Sequence, residues 1–233
     1  MLLYQLIKLL FQNPLIFLIF FIVLTFPLLI SITIHEWAHG FVAYKFGDPT
    51  PKEQGRLSLN PFRHLDPIGT LMLFIVGIGW AKPVEINPNN IRDRHKLMLV
   101  AFAGPFSNFV MAIFFSFIIY LILAISNSKG LHNDTGIIAL LIMLLGIIVR
   151  INLVLGLFNL IPIPPLDGAN IVRNFLPRDL SDTYFRLAPY GLPILLVLVF
   201  TGGIKYIFNI ADFLEVHLLK WIMLIFDPIF KVF

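Results

Sequence analysis

The chain contains no cysteine. Disulfides, thiolate metal ligands and thiol nucleophiles are thereby excluded, and any transition metal must be held by His, Asp or Glu. Charge is also scarce: only 13% of the 233 residues are Asp, Glu, Lys or Arg, about half the share of a soluble domain. No polar stretch is long enough for a separate soluble domain, and there is no internal repeat or low-complexity tract. What fills the chain is apolar, with 58% hydrophobic residues and a mean hydropathy of +0.90. The expectation is an all-α polytopic membrane protein, a bundle of about four to six transmembrane helices with a re-entrant segment. A single transmembrane domain is expected over residues 1–233, its core at 14–175 and accessory helices at 187–226. The net charge of +4 does not indicate nucleic acid, because the basic residues are scattered between apolar spans. Lys8 is the one early charge and no small-residue cleavage site follows it, so a cleavable signal is not expected.

The charges that are present report topology. A first helix is expected from Leu15 to Tyr44, closed by Gly47-Asp48-Pro49-Thr50-Pro51. Ile68 to Trp80 is apolar but short and glycine-rich, with basic residues on both sides (Arg56 and Arg63 before it, Lys82 and Arg92 after it). A crossing there would break the positive-inside rule, so residues 45–96 are placed on the cytoplasmic side with a dip into the membrane. Leu97–Ile125 and Gly136–Leu160 read as the second and third spans, and Leu187–Phe200 as the fourth. Ile204 to Phe226 holds Asp212, Glu215, His217 and Lys220 and reads equally well as spanning or interfacial.

Inside the first apolar run lies His35-Glu36-Trp37-Ala38-His39. On a helix, positions i and i+4 share a face, so the two imidazoles can reach one metal ion while Glu36 stands ready to take a proton from water. Ionisable groups at that depth are costly unless they line a polar cavity, which marks them as functional. A catalytic zinc site needs a third protein ligand. The candidates are His64, Asp66, Asp167, Asp212 and His217. Asp167 is favoured because the first and third spans run in the same direction, which puts residues 159–167 at the histidines' depth. Three prolines, Pro162, Pro164 and Pro165, break the helix just before it.

The combination of His35-Glu36-x-x-His39 with Asn159-x-x-Pro162-x-Pro164-x-Leu166-Asp167-Gly168 resembles the site-2 protease family of intramembrane metalloproteases, here without a peptide-binding domain. Ala103-Gly104-Pro105-x-x-Asn108 and Gly79-Trp80-Ala81-Lys82-Pro83-Val84 extend the resemblance. It implies that His35, His39 and Asp167 bind one Zn2+, that Glu36 is the general acid/base, and that Asn159 assists near the reacting carbonyl. It further implies a zinc metalloendopeptidase that cleaves in or near transmembrane segments, with single-pass membrane proteins as substrates; the charge topology puts the site nearer the cytoplasmic face. The alternating stretch Lys82–Asn87 is expected to offer a short β edge to an extended substrate, so proline at Val84 or Ile86 should impair cleavage.

Plainer readings stand beside these. Asp167 suits a helix N-cap, and Asn159 suits an interhelical hydrogen bond. Gly104-Pro105 with Asn108 fits a close helix contact or a kink, with Asn108 also a candidate to line the cavity. Arg150 is expected to snorkel, to pair with an acid, or to mark an early end of its span. His64 and Asp66 read as solvated loop residues, and His95, His132 and His217 carry no assigned role. A membrane metal-ion transporter or a catalytically silent scaffold are the alternative functions, and the former has no need for a general base at Glu36.

Overall fold

The computed structural model describes residues 8, 10–69, 81–128 and 136–230. Among them regular structure is helical throughout, apart from one isolated bridge between Leu65 and Ala81. Four stretches are long and apolar enough to cross a membrane: Pro14–Lys45, Arg94–Ser128, Ile137–Asn159 and Asp179–Phe200. They mark the chain as an integral membrane protein. The expected dip over residues 68–80 lies almost wholly outside the described residues, as does His132. The expected β edge at 82–87 has no regular secondary structure and forms no strand among the described residues.

Contacts group the chain into two compact units, Met1–Gly104 and Pro105–Phe233. In the first, helix α1 (Pro14–Lys45) begins with proline at its first position, where the missing N–H is no loss. Pro27 inside the helix removes one backbone donor. The Ser31 and Thr33 hydroxyls satisfy themselves within the helix, on the carbonyls of Pro27 (2.8 Å) and Leu29 (2.7 Å). That local solution matters in lipid, where water cannot serve. Up to Phe26 the helix exposes Leu15, Ile16, Leu18, Ile19 and Ile22; from Ser31 onward it buries Ser31, Thr33, His35, Ala38, His39 and Ala43.

Helix α1 stops in a Schellman turn. Gly47, at φ 102, lets its own N–H reach Tyr44 and the Asp48 N–H reach Ala43. A short helix α2 (Thr50–Glu53) follows, then a 3-10 turn over Pro61–Arg63. Ala43, Ile91 and Val100 make the apolar core of this unit, with Phe46, Ile86 and Leu97 against it.

Helix α3 (Arg94–Ser128) carries the chain into the second unit, where α4 (Ile137–Asn159) and a long last helix, Ile204–Phe230, pack together. Their core is Ala112, Ile119, Val149, Leu153 and Ala211. Between them lie α5 (Asp167–Phe175), α6 (Arg178–Phe185), a 3-10 turn and α7 (Gly191–Phe200), so Ile204–Phe230 is α8. Asn108 donates to Asn152 at 3.0 Å and both are fully buried, so the close helix contact expected at Asn108 is a polar link between α3 and α4. Arg150 does not end its helix early; it pairs with Asp212 of α8 at 2.6 Å.

Candidate metal centre

Helical periodicity puts His35 and His39 on one face, as the spacing predicts, and both are buried. The Nδ1 of His39 donates to the Val100 carbonyl at 2.7 Å. With its proton on Nδ1, the ring presents the Nε2 lone pair, the tautomer a metal ligand requires. Nε2 of His39 lies 3.1 Å from Nε2 of His35. Two nitrogens on a tetrahedral zinc, each at about 2.0–2.1 Å, stand roughly 3.3 Å apart, so this pair is set for one ion.

The space before the rings is kept open by a glycine. A Cβ on Gly104 would lie 2.2 Å from His39 Nε2 and 2.6 Å from His35 Nε2, far inside any real contact. Glycine in the interior of a long helix costs about 1 kcal/mol against alanine, and here its missing side chain is the cradle a ligated ion would fill.

Glu36 is half-buried, one residue along the helix, and its Oε2 accepts the Val84 N–H at 2.9 Å. The bonded segment, residues 82–87, is held at both ends as well: Lys82 N–H donates to the His64 carbonyl at 2.8 Å, and Asn87 N–H to Asp48 Oδ2 at 2.8 Å. Gly40 makes room for this approach, since a Cβ there would meet Leu57, Pro51 and Val84 at 3.1–3.3 Å.

In the second unit, Asp167 is the first residue of α5 and half-buried. Leu166 occupies the N-cap position and no side chain caps the helix, so the capping role is not the one Asp167 fills. Gly168 follows because a Cβ would lie 2.3 Å from the Leu160 carbonyl oxygen; the carboxylate is thus set beside the turn that ends α4. Asn159, the last residue of α4, donates to Leu155 of its own helix at 3.1 Å.

The chain matches the family described as "Peptidase family M50" over residues 23–200. The chain belongs to peptidase family M50. The likeness to the site-2 proteases is borne out, and with it the assignment to the zinc metalloproteases. Among curated proteins, "Putative zinc metalloprotease YwhC" of Bacillus subtilis (strain 168) is 38% identical over 208 residues, covering 88% of this chain and 93% of its own length. "Putative zinc metalloprotease Rip2" of Mycolicibacterium smegmatis is 29% identical over 201 residues, covering 83% of this chain and 72% of its own. The protein of that same name from Mycobacterium tuberculosis (strain H37Rv) is 30% identical over 199 residues, covering 78% and 71%. No solved structure is a significant match.

The other ligand candidates in this M50 chain have visible duties. His64 is not a solvated loop residue: it is 1% exposed, with Nε2 2.8 Å from the Ser58 carbonyl. Asp66 accepts the Gly69 N–H at 2.7 Å. Asp212 is the partner of Arg150, and His217 bonds the Phe213 carbonyl through Nδ1 at 2.8 Å and stacks on that ring.

Asp48, which sequence reasoning passed over as part of a turn, is a hub of the first unit of this M50 chain. It is fully buried and accepts from Thr50 N (3.1 Å), Thr50 Oγ1 (2.6 Å), Asn90 Nδ2 (2.7 Å) and Asn87 N (2.8 Å). Burial pushes its carboxyl upward, but the hydrogen bonds from Thr50, Asn90 and Asn87 outweigh burial and hold it below the ordinary aspartate value. A carboxyl depressed by folding stabilises the fold fully above its unfolded pKa of about 3.9, and that contribution is lost as pH falls below it through the folded value. Thermal unfolding of wild type and Asp48→Asn should therefore differ near neutral pH, and the two curves should converge as the pH drops below the ordinary aspartate range.

Proposed function

We propose that this chain is an intramembrane zinc metalloprotease that cleaves peptide bonds in or near transmembrane segments of single-pass membrane proteins. The observation that carries the reading is the opposed Nε2 pair of His35 and His39 under Gly104, with Glu36 beside it. His35, His39 and Asp167 are the donors we assign to one zinc ion; two imidazoles and a carboxylate are a set that could hold a metal. Zinc, when bound, supplies Lewis acidity toward water and toward the scissile carbonyl.

The protein's own groups account for the rest. Glu36 keeps one carboxylate oxygen on the Val84 N–H, which leaves the other to take the proton of the attacking water and pass one to the leaving amine. The Asn159 amide has two N–H groups and spends one on Leu155, so the second remains for a developing oxyanion. The basic loops around residues 45–96 support a site, and its water, toward the cytoplasmic face.

A helical substrate must unwind locally to expose its peptide bonds. In an extended backbone, alternate residues turn their amides to opposite sides. Lys82 and Val84 direct theirs to His64 and Glu36, so the edge for an added substrate strand falls at Glu85. Proline at Val84 is no longer a clean test, because it also strips Glu36 of its donor. Glu85→Pro is: cleavage should fall about tenfold or more, for the loss of a ladder bond, with zinc content unchanged. Unaltered cleavage by that variant would remove the edge from the mechanism.

The proposal as a whole is tested by purifying the protein in detergent, measuring zinc by mass spectrometry and following cleavage of a single-span peptide. One zinc per chain, chelator-sensitive cleavage and loss of zinc in Asp167→Ala are expected. A zinc-loaded protein that cleaves no transmembrane peptide would overturn the proteolytic reading.

A further inference from the structure

The Glu36 carboxylate is oriented by a backbone amide, which keeps its place only as well as its segment does. Val84 is fixed by its own buried side chain, packed at Gly40, and by the anchoring of its segment. Three residues onward, the Asn87 N–H and the Asn90 side chain are both bound by Asp48, a fully buried carboxylate at the end of the helix that carries Glu36. Thr50 completes the hub through its N–H and hydroxyl, which tie Asp48 to the start of α2. The helix thus reaches the segment twice, at Glu36 and at Asp48.

We propose that Asp48 is a positioning residue for Glu36: by binding Asn87 and Asn90 it holds residues 82–87 so that the Val84 N–H stays on the Glu36 carboxylate. Asp48 touches no reacting atom in this account. Its charge suits the task because one carboxylate accepts four bonds here, all from donors. An asparagine in its place would turn an NH2 group toward donors that need an acceptor, whichever way the amide is flipped.

The inference rests on the proteolytic reading for its kinetic arm only. With a single-span peptide as substrate, Asp48→Asn should lower kcat about a hundredfold, the scale of a misplaced catalytic group, with zinc content unchanged and any rise in KM, from the loosened edge at Glu85, much the smaller effect. Asn90→Ala removes one bond from an exposed residue and leaves the buried hub in place, so it keeps the question decidable even where Asp48→Asn folds poorly. It should lower kcat by about five- to tenfold. Asn89→Ala, an exposed change in the same turn whose side chain is outside the hub, should match wild type. A rise in KM at constant kcat would overturn the proposal, because it would make the segment a substrate holder that leaves Glu36 alone.

The second arm needs no activity. Amide hydrogen exchange in Asn90→Ala should accelerate across residues 84–91 while α1 keeps its protection. Unchanged exchange there, or an equal loss throughout α1, would sink the link from Asp48 to Val84. If the wild type cleaves nothing, the proteolytic reading fails by itself and the exchange arm still decides whether Asp48 holds the segment.

Discussion

Glu36→Gln is expected to bind zinc as well as wild type and to cleave no transmembrane peptide at a measurable rate. A general base contributes about 10²–10⁴-fold, and in the proposed mechanism the same group also serves the leaving amine, so the loss should lie at or beyond the upper end. The variant is clean for a structural reason. Glutamine keeps a side-chain oxygen that can still accept the Val84 N–H, now made to Glu36 at 2.9 Å, so the segment over the helix has no cause to move. The histidines and their spacing are untouched. Metal analysis beside a cleavage assay checks both halves. Residual cleavage within about tenfold of wild type would remove Glu36 from the proton transfer.

The second large effect belongs to a residue with no side chain. Gly104→Ala is expected to reduce zinc far below one per chain and to abolish cleavage, although alanine is the better helix former by about 1 kcal/mol. The methyl group would lie 2.2 Å from His39 Nε2 and 2.6 Å from His35 Nε2. Both rings would have to leave the shared point, and His39 would give up its bond to Val100 in doing so. The helix content by circular dichroism should be retained while the metal is lost. A zinc-replete, active Gly104→Ala protein would show that the two imidazoles do not converge where this geometry places them.

Much of the site was legible because its pieces are local. The i, i+4 spacing of His35 and His39 becomes a shared face on any helix, whatever packs around it. The four apolar stretches follow from composition, since a run of some twenty apolar residues has few alternatives to a helix in lipid. The termini of α1 were readable too, expected at Leu15 and Tyr44 and found at Pro14 and Lys45. Gly104 was noticed, but as a packing or kink residue. Nothing near it in sequence says that its empty side faces two histidines more than sixty residues earlier.

Other features depend on partners that a sequence does not name. The donor to Glu36 is a main-chain N–H, which every non-proline residue possesses, so no residue type could have signalled Val84. Asp48 looked like punctuation between a glycine and a proline, and its four donors come from both sides of the chain. Arg150 could be assigned an acid only when α4 and α8 were seen side by side. His64 looked solvated because polar neighbours surround it in sequence, yet its ring is buried against the Ser58 carbonyl.

The amino-acid order by itself determined the class of protein, the helix that bears the two histidines, and the carboxylate that lies beside them. Those follow from hydrophobic runs and helical period, which are properties of short segments. Only the tertiary structure decided which glycine opens the space before the imidazoles, which amide aims Glu36, and which buried aspartate steadies that amide. Such choices are made by backbone groups and by contacts between distant residues, and a hydrogen bond selects its partner by position in space, not by place in the chain.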